Sequence, residues 1–277
     1  MEFFNNLLFK FLERTKLIRK INFTFKIKNN GVTFKIPVIF GTGLSYLFKY
    51  EPWQDIIFKS VLDSETNFID IGANIGQSLI KAKSISSSIN YIGFEPNPHC
   101  VSYLHHLIQS NYFINTIIFP VGISNSNSLQ KLSIENETAS SASVIPKFRK
   151  GDENWKSIFV PLLDYKNLPV LPLGKLVIRI DVEGAELEII ESLKNYIEQN
   201  KPIIVCEILP VYSIENSERL NRQTKIEAIF KSLNYKIKRI HSNGILEEIQ
   251  NIGIHTDLSS SNYLLEYNHA LKGKDIR

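Results

Sequence analysis

The feature that most limits what this chain can fold into is a series of five short, nearly unbroken apolar runs. They lie at residues 68–71, 91–94, 117–121, 176–180 and 203–207, and the stretches between them are long enough for helices. Runs this uniformly apolar are buried on both faces, as in a parallel sheet covered by helices on either side. The pattern predicts a doubly wound, mostly parallel α/β domain. Residues 51–62 read as a helix with Pro52 tolerated in its first turn. Segments 235–241 and 262–267 read as further strands, after a helix from about 224 to 233, and are expected to close one edge of the sheet. Residues 124–151 are rich in Ser, Asn and Glu without a sustained helical period, so a hairpin or ordered loop beside the third strand is expected.

The first 50 residues follow another logic. Phe3, Phe4, Leu7, Leu8, Phe11 and Leu12 fall near helical spacing, with Lys and Arg towards the end of the segment, where a helix dipole favours cations. Residues 22–28 and 32–38 then alternate around Asn29-Asn30-Gly31, a hairpin signal. The expected organisation is a helix-plus-hairpin extension over 1–50 and one domain over 51–277. In a chain of 277 residues with 17 Phe, 11 Tyr and 2 Trp, such a domain buries a sizeable core, and global disorder is excluded.

Charge follows the same division. Residues 1–35 carry eight Lys or Arg against Glu2 and Glu13, leaving 24 basic and 26 acidic groups over the rest. A nucleic-acid footprint spread over the main domain is therefore disfavoured. The basic amphipathic segment 1–20 is expected to dock within the protein or its dimer, with contact to a membrane surface as the alternative. No apolar run reaches the roughly 18 residues a membrane span needs. Cys100 and Cys206 make neither a zinc pattern nor a disulfide framework, and a reducing cytoplasm is the expected compartment.

The densest chemical signal is Asp70-Ile71-Gly72-Ala73-Asn74-Ile75-Gly76, at the end of the first buried run and before a helix. In open α/β sheets ligands sit beyond the carboxyl ends of the strands, and small residues there let the backbone approach them. Asn74 and Gln77 stand where a dinucleotide fingerprint requires glycine, so NAD is the weaker reading. An acidic residue ahead of a G-x-x-x-G turn suits S-adenosylmethionine, with Asp70 facing its ammonium or sulfonium. Glu95, followed by Pro96, comes nineteen residues after Gly76 at the end of the second run, where a carboxylate can accept both ribose hydroxyl hydrogens. Gly122 and Ile123, after the third run, are placed beside the adenine.

A second acidic turn, Asp181-Val182-Glu183-Gly184-Ala185-Glu186, follows the fourth run. Methyl transfer to oxygen needs an in-line approach and removal of the hydroxyl proton, and a positioned carboxylate can orient the hydroxyl or take that proton. Asp181 and Glu183 are the candidates. A divalent cation on one of these carboxylates is the less favoured alternative, since the sequence brings no His or further carboxylate visibly to them. The six histidines show no metal spacing, and His241, at an expected strand end, is the one to watch.

With these motifs in place, the chain resembles the FkbM family of S-adenosylmethionine-dependent methyltransferases from about residue 45 to 267. The resemblance rests on Tyr50-Glu51-Pro52, Phe68 to Gly76, Gly93-Phe94-Glu95-Pro96, Asp181 to Glu186 and the strand ending at Glu207. It implies a class I methyltransferase fold and O-methylation of a hydroxyl on a sugar, glycan or glycosylated metabolite. By the same resemblance Glu51, Asp70, Gly72, Ala73, Asn74, Gly76 and Glu95 surround the cofactor, and Asp181 and Glu183 face the reaction centre. The other class kept open is a cofactor-binding but inactive subunit of a larger assembly.

Overall fold

In the computed structural model, residues 20–48, 51–135, 141–145, 154–168 and 171–269 are described. The helix expected over 1–20 falls, apart from Lys20, outside them. The described chain opens with β1 (Phe23–Asn29) and β2 (Val32–Val38), antiparallel and in register from Phe23 opposite Val38 to Asn29 opposite Val32. Two residues therefore make the turn, Asn30 and Gly31, both at positive φ (47° and 85°), as a hairpin turn compatible with strand twist requires. Helix α1 (Pro52–Val61) follows, with proline in its first turn and Trp53, Ile57, Phe58 and Val61 buried along one stripe.

Strands and helices then alternate: β3 (Asn67–Ile71), α2 (Gln77–Ile85), β4 (Asn90–Phe94), α3 (Pro98–Asn111) and β5 (Thr116–Phe119). Next come β6 (Gly122–Ile123), β7 (Ser128–Ile134) and β8 (Lys156–Leu163), and after them β9 (Leu176–Ile180), α4 (Glu186–Asn200), β10 (Ile203–Glu207) and α5 (Ser217–Ser232). The described chain closes with β11 (Tyr235–Ile240), β12 (Leu246–Ile249) and β13 (Asn262–Tyr267).

The central sheet has eight strands in the order β12-β11-β13-β10-β9-β3-β4-β5. Its four pairings from β10 to β5 are parallel, while β13 runs antiparallel to both neighbours, β10 and β11. The two late strands thus do more than close an edge: β13 is inserted inside the sheet, and β12, a strand not expected from the sequence, takes the edge beyond β11. Helix α5 starts at Ser217, seven residues ahead of the expected start, because Asn216 caps it by accepting from the Arg219 amide at 3.2 Å.

Alternate residues of the apolar strands serve two different cores. Ile69, Ile178 and Ile204 pack with α4 and α5, whereas Phe68, Val177 and Val205 pack with α1, α2, α3 and the hairpin residues Phe34 and Ile36. Double-sided burial is the physical reason these strands lack a polar alternation. Strand β5 is the exception. It lies at the sheet edge, and Ile117 is half exposed.

The polar stretch after the third run supplies one strand, β7, rather than a whole hairpin; its antiparallel partner β8 lies beyond residue 151, and the two belong to a separate small sheet. Strand β8 pairs antiparallel with β7 and parallel with the short β6, and an isolated bridge ties Ser143 to Ser133 of β7. Leu132, Ile134, Val160 and Leu162 make a small separate core beneath it.

Candidate active site

A cavity of about 520 Å³ opens where the carboxyl ends of β3, β4, β9 and β10 meet the small sheet. Its floor is the turn after β3. Gly72 has φ 88°, and a Cβ there would stand 1.9 Å from the Asp181 carbonyl oxygen, so only glycine allows the first and fourth strand ends to lie this close. The turn is anchored on β4, whose Phe94 carbonyl accepts from the amides of Gly72 (2.9 Å) and Ala73 (3.1 Å).

Glu95 continues β4 into the cavity wall. It is buried, and its two carboxylate oxygens accept from the backbone amides of Asn74 and Asn97, each at 2.8 Å. Burial pushes its pKa up to about 7, and those two amide donors oppose the rise. Pro96, Gly122 and Ile123 line the same side, with Leu162 of the small sheet against Gly122.

The opposite side is acidic. Asp181, Glu183 and Glu207 each offer an oxygen within 4.8 Å of the others, and Glu51 lines the cavity with them. Burial first, and then the charge of Asp181 and a hydrogen bond with it, raise the Glu207 pKa to about 11. Burial beside these carboxylates thus favours the protonated form of Glu207. Burial also raises the pKa of Glu51, with Arg179 and Lys81 pulling the other way and Asp181 adding to the rise. Glu51, Asn74 and Glu183 all have φ near 50° (47°, 47° and 56°), a backbone region that non-glycine residues avoid and that collects at functional sites. The Ser143 hydroxyl donates to the Glu183 carbonyl at 2.7 Å, which fixes the small sheet over this turn.

Of the residues picked out in the sequence, Glu51, Gly72, Ala73, Asn74, Glu95, Pro96, Gly122, Ile123, Asp181 and Glu183 all line this one cavity. Asp70 and Gly76 do not. Asp70 is fully buried behind the floor, where it accepts from the hydroxyls of Ser78 and Tyr91 and pairs with Arg179 at 2.9 Å, so it does not face the cavity as expected. Gly76 packs instead towards Leu104 and Leu107 of α3. His241 is surface-exposed and bonded to Glu247 at 3.0 Å. The sequence reading missed Glu207 as a partner of Asp181, although it ends an apolar strand as Glu95 does. It also missed Arg179 and the apolar wall of Leu132, Ala142, Val144 and Leu162. Arg179 carried a signal, a cation inside an otherwise apolar strand. The wall carried none, because it depends on how the small sheet packs.

The carboxylate trio has the oxygen chemistry to bind a divalent cation, and Glu207 is the further carboxylate that the sequence did not reveal. Among the described residues no helix is long and apolar enough to cross a membrane.

A family model described as the methyltransferase FkbM domain matches residues 70–237. Among solved structures, the FkbM methyltransferase from Methylobacillus flagellatus KT is similar with a TM-score of 0.50 at 15% identity, covering 80% of this chain and 49% of that one. This chain thus spans about half the length of that protein. TYW2 of M. jannaschii, solved in complex with AdoMet, matches with a TM-score of 0.42 at 11% identity, over 87% of this chain and 83% of that one. SMU.1697c, described as a putative methyltransferase from Streptococcus mutans and solved in complex with SAH, matches with a TM-score of 0.43 at 7% identity, over 79% and 97%. No curated protein matches the chain. The fold is that of class I methyltransferases, and with the family model covering more than half of its length the chain belongs to the FkbM methyltransferase family.

Proposed function

We propose that this protein transfers a methyl group from S-adenosylmethionine to a hydroxyl of a sugar, a glycan or a glycosylated metabolite. The observation that carries the reading is the pairing of Glu95 and the Gly72–Asn74 turn on one side of a single cavity with Asp181 and Glu183 on the other. The chain's residues fit such a cofactor. Glu95, fixed by two backbone amides, keeps acceptor capacity for a ribose diol. The glycine-lined floor admits close backbone approach, and Pro96, Gly122 and Ile123 offer a flat apolar slot for adenine. Glu51 takes over the part first assigned to Asp70, a carboxylate exposed to the cationic end of the ligand.

Held by Glu95, the Gly72–Asn74 turn and Glu51, S-adenosylmethionine would supply a methyl carbon on a positively charged sulfur, which would leave as a neutral thioether once the acceptor oxygen bonded the carbon. Asp181 orients the acceptor hydroxyl and takes its proton, and Glu183, held by Ser143, flanks it. The raised pKa of Glu207 favours its neutral form, which lessens repulsion among the crowded carboxylates before the acceptor enters. The net charge of −2 outside residues 1–35 favours a carbohydrate over a nucleic acid as acceptor. No step of this reading needs a metal ion. Chelation by EDTA is expected to leave the rate unchanged, and a loss restored by Mg²⁺ would assign the carboxylate trio to a cation.

The deciding experiment is calorimetric titration with S-adenosylhomocysteine, followed by transfer of labelled methyl to a panel of sugars and glycosides. Micromolar binding and label on a hydroxyl are expected. Binding with no transfer to any acceptor would favour the inactive-subunit reading, and no binding by folded protein would overturn the cofactor assignment.

A further inference from the structure

We propose that Arg179 is a positioning residue of the cofactor site: its guanidinium neutralises the buried Asp70 and clamps the Gly72 carbonyl, and so fixes the turn on which the cofactor lies. This rests on the cofactor reading above. Arg179 lies directly opposite Asp70 in the parallel pairing of β9 with β3, so both side chains project on the same face. One guanidinium nitrogen, Nη1, donates to Asp70 Oδ1 at 2.9 Å and to the Gly72 carbonyl at 3.3 Å, while Nη2 pairs with Asp181. A single planar group thus touches the strand before the glycine turn, the turn itself and the acidic turn across the cavity.

The need for it follows from burial. Asp70 has no exposed surface, and among the described residues its carboxylate would keep, without Arg179, only the Ser78 and Tyr91 hydroxyls as side-chain donors. A buried carboxylate stripped of its cation is strongly unfavourable and relaxes by moving or by taking a proton. Either response shifts Gly72, which leads directly out of Asp70 and Ile71. Arg179 is also the one cationic side chain that lines the cavity among the described residues, against Glu51, Glu95, Asp181, Glu183 and Glu207. Burial alone would lower its pKa, but Asp181, Asp70 and Glu51 together hold it charged well above the ordinary arginine range. Lysine could match the charge but not the fork, because an ammonium is a point donor that does not span Asp70 and Asp181 in one plane.

The test is a double-mutant cycle read by calorimetric titration with S-adenosylhomocysteine, at a temperature well below the melting transition of every variant. Arg179→Met is expected to weaken binding about a hundredfold in the native background but less than about threefold in the Asp70→Asn background, where the fully buried carboxylate at position 70 is no longer there to be neutralised. Arg179→Lys should weaken it about tenfold. A purely structural ion pair would move the melting temperature and leave the affinity of the folded protein untouched. Should Arg179→Met fail to fold, Arg179→Lys carries the same cycle. Native affinity in the Arg179 variants, or equal losses in both backgrounds, overturns the proposal. Absence of binding by the native protein would instead remove the cofactor reading on which it rests.

Discussion

Glu95, which is buried, and Glu207, which is partly buried, stand at the ends of parallel strands on facing sides of one cavity, yet their surroundings treat the charge in opposite ways. Glu95 meets two backbone amides, and its pKa rises only to about 7. Glu207 meets the carboxylates of Asp181, Glu183 and Glu51, and its pKa rises to about 11. Burial pushes both upwards, so the neighbours decide the outcome. One end of the cavity is prepared to accept hydrogen bonds with a carboxylate, and the other favours a protonated carboxyl.

The largest way to break this contrast is to push the two ends apart. Gly72→Ala would drive a Cβ into the Asp181 carbonyl at positive φ, and a loss of about 2–4 kcal/mol is expected, read as a lowered melting temperature together with abolished S-adenosylhomocysteine binding. Next in size, Glu95→Gln removes the charged acceptor and should weaken that binding about tenfold to a hundredfold, whereas Glu207→Gln should leave it within about twofold. Equal losses in the two variants would erase the distinction.

Lowering pH sharpens the same contrast without mutation. Affinity for S-adenosylhomocysteine is expected to fall about tenfold between pH 7.5 and 5.5 as Glu95 takes up a proton, and Glu95→Gln should flatten that dependence. The smallest effect concerns the unliganded protein. Both glutamates have folded-state pKa values above the ordinary 4.5, so the folded state binds more protons than the unfolded one and stability declines as pH rises. The decline contributed by Glu95 runs from about pH 4.5 to 7, and that of Glu207 continues towards 11. Glu207→Gln should therefore raise the melting temperature at pH 8 by a few degrees, and a drop there would show that its carboxyl is needed for packing.

How far the site could be read from the chain follows the same geography. The place of Glu95 and the Gly72 turn in the cavity was legible because each lies within a few residues of one strand and its following turn, where spacing reports geometry. Asp181 and Glu183 were legible for the same reason. Asp70 was assigned to the cavity on charge and position, but the pleat turns its side chain to the inner face, towards Arg179, and only strand pairing reveals that. Glu207 needed the order of strands to be set beside Asp181. In the fold, the parallel strands and the hairpin followed from apolar pattern and from Asn30-Gly31, whereas the interior place of β13 depends on a pairing between segments far apart in sequence, which no local pattern encodes.

That interior place has a consequence for how the chain is made. Until Asn262–Tyr267 has left the ribosome, β10 and β11 have no common neighbour, and the row of backbone groups on β10 that will face β13 is an open template for any passing extended segment. From the translation of β10 until that of β13 the nascent domain therefore carries an adhesive edge, and the last strand among the described residues is the one that seals it.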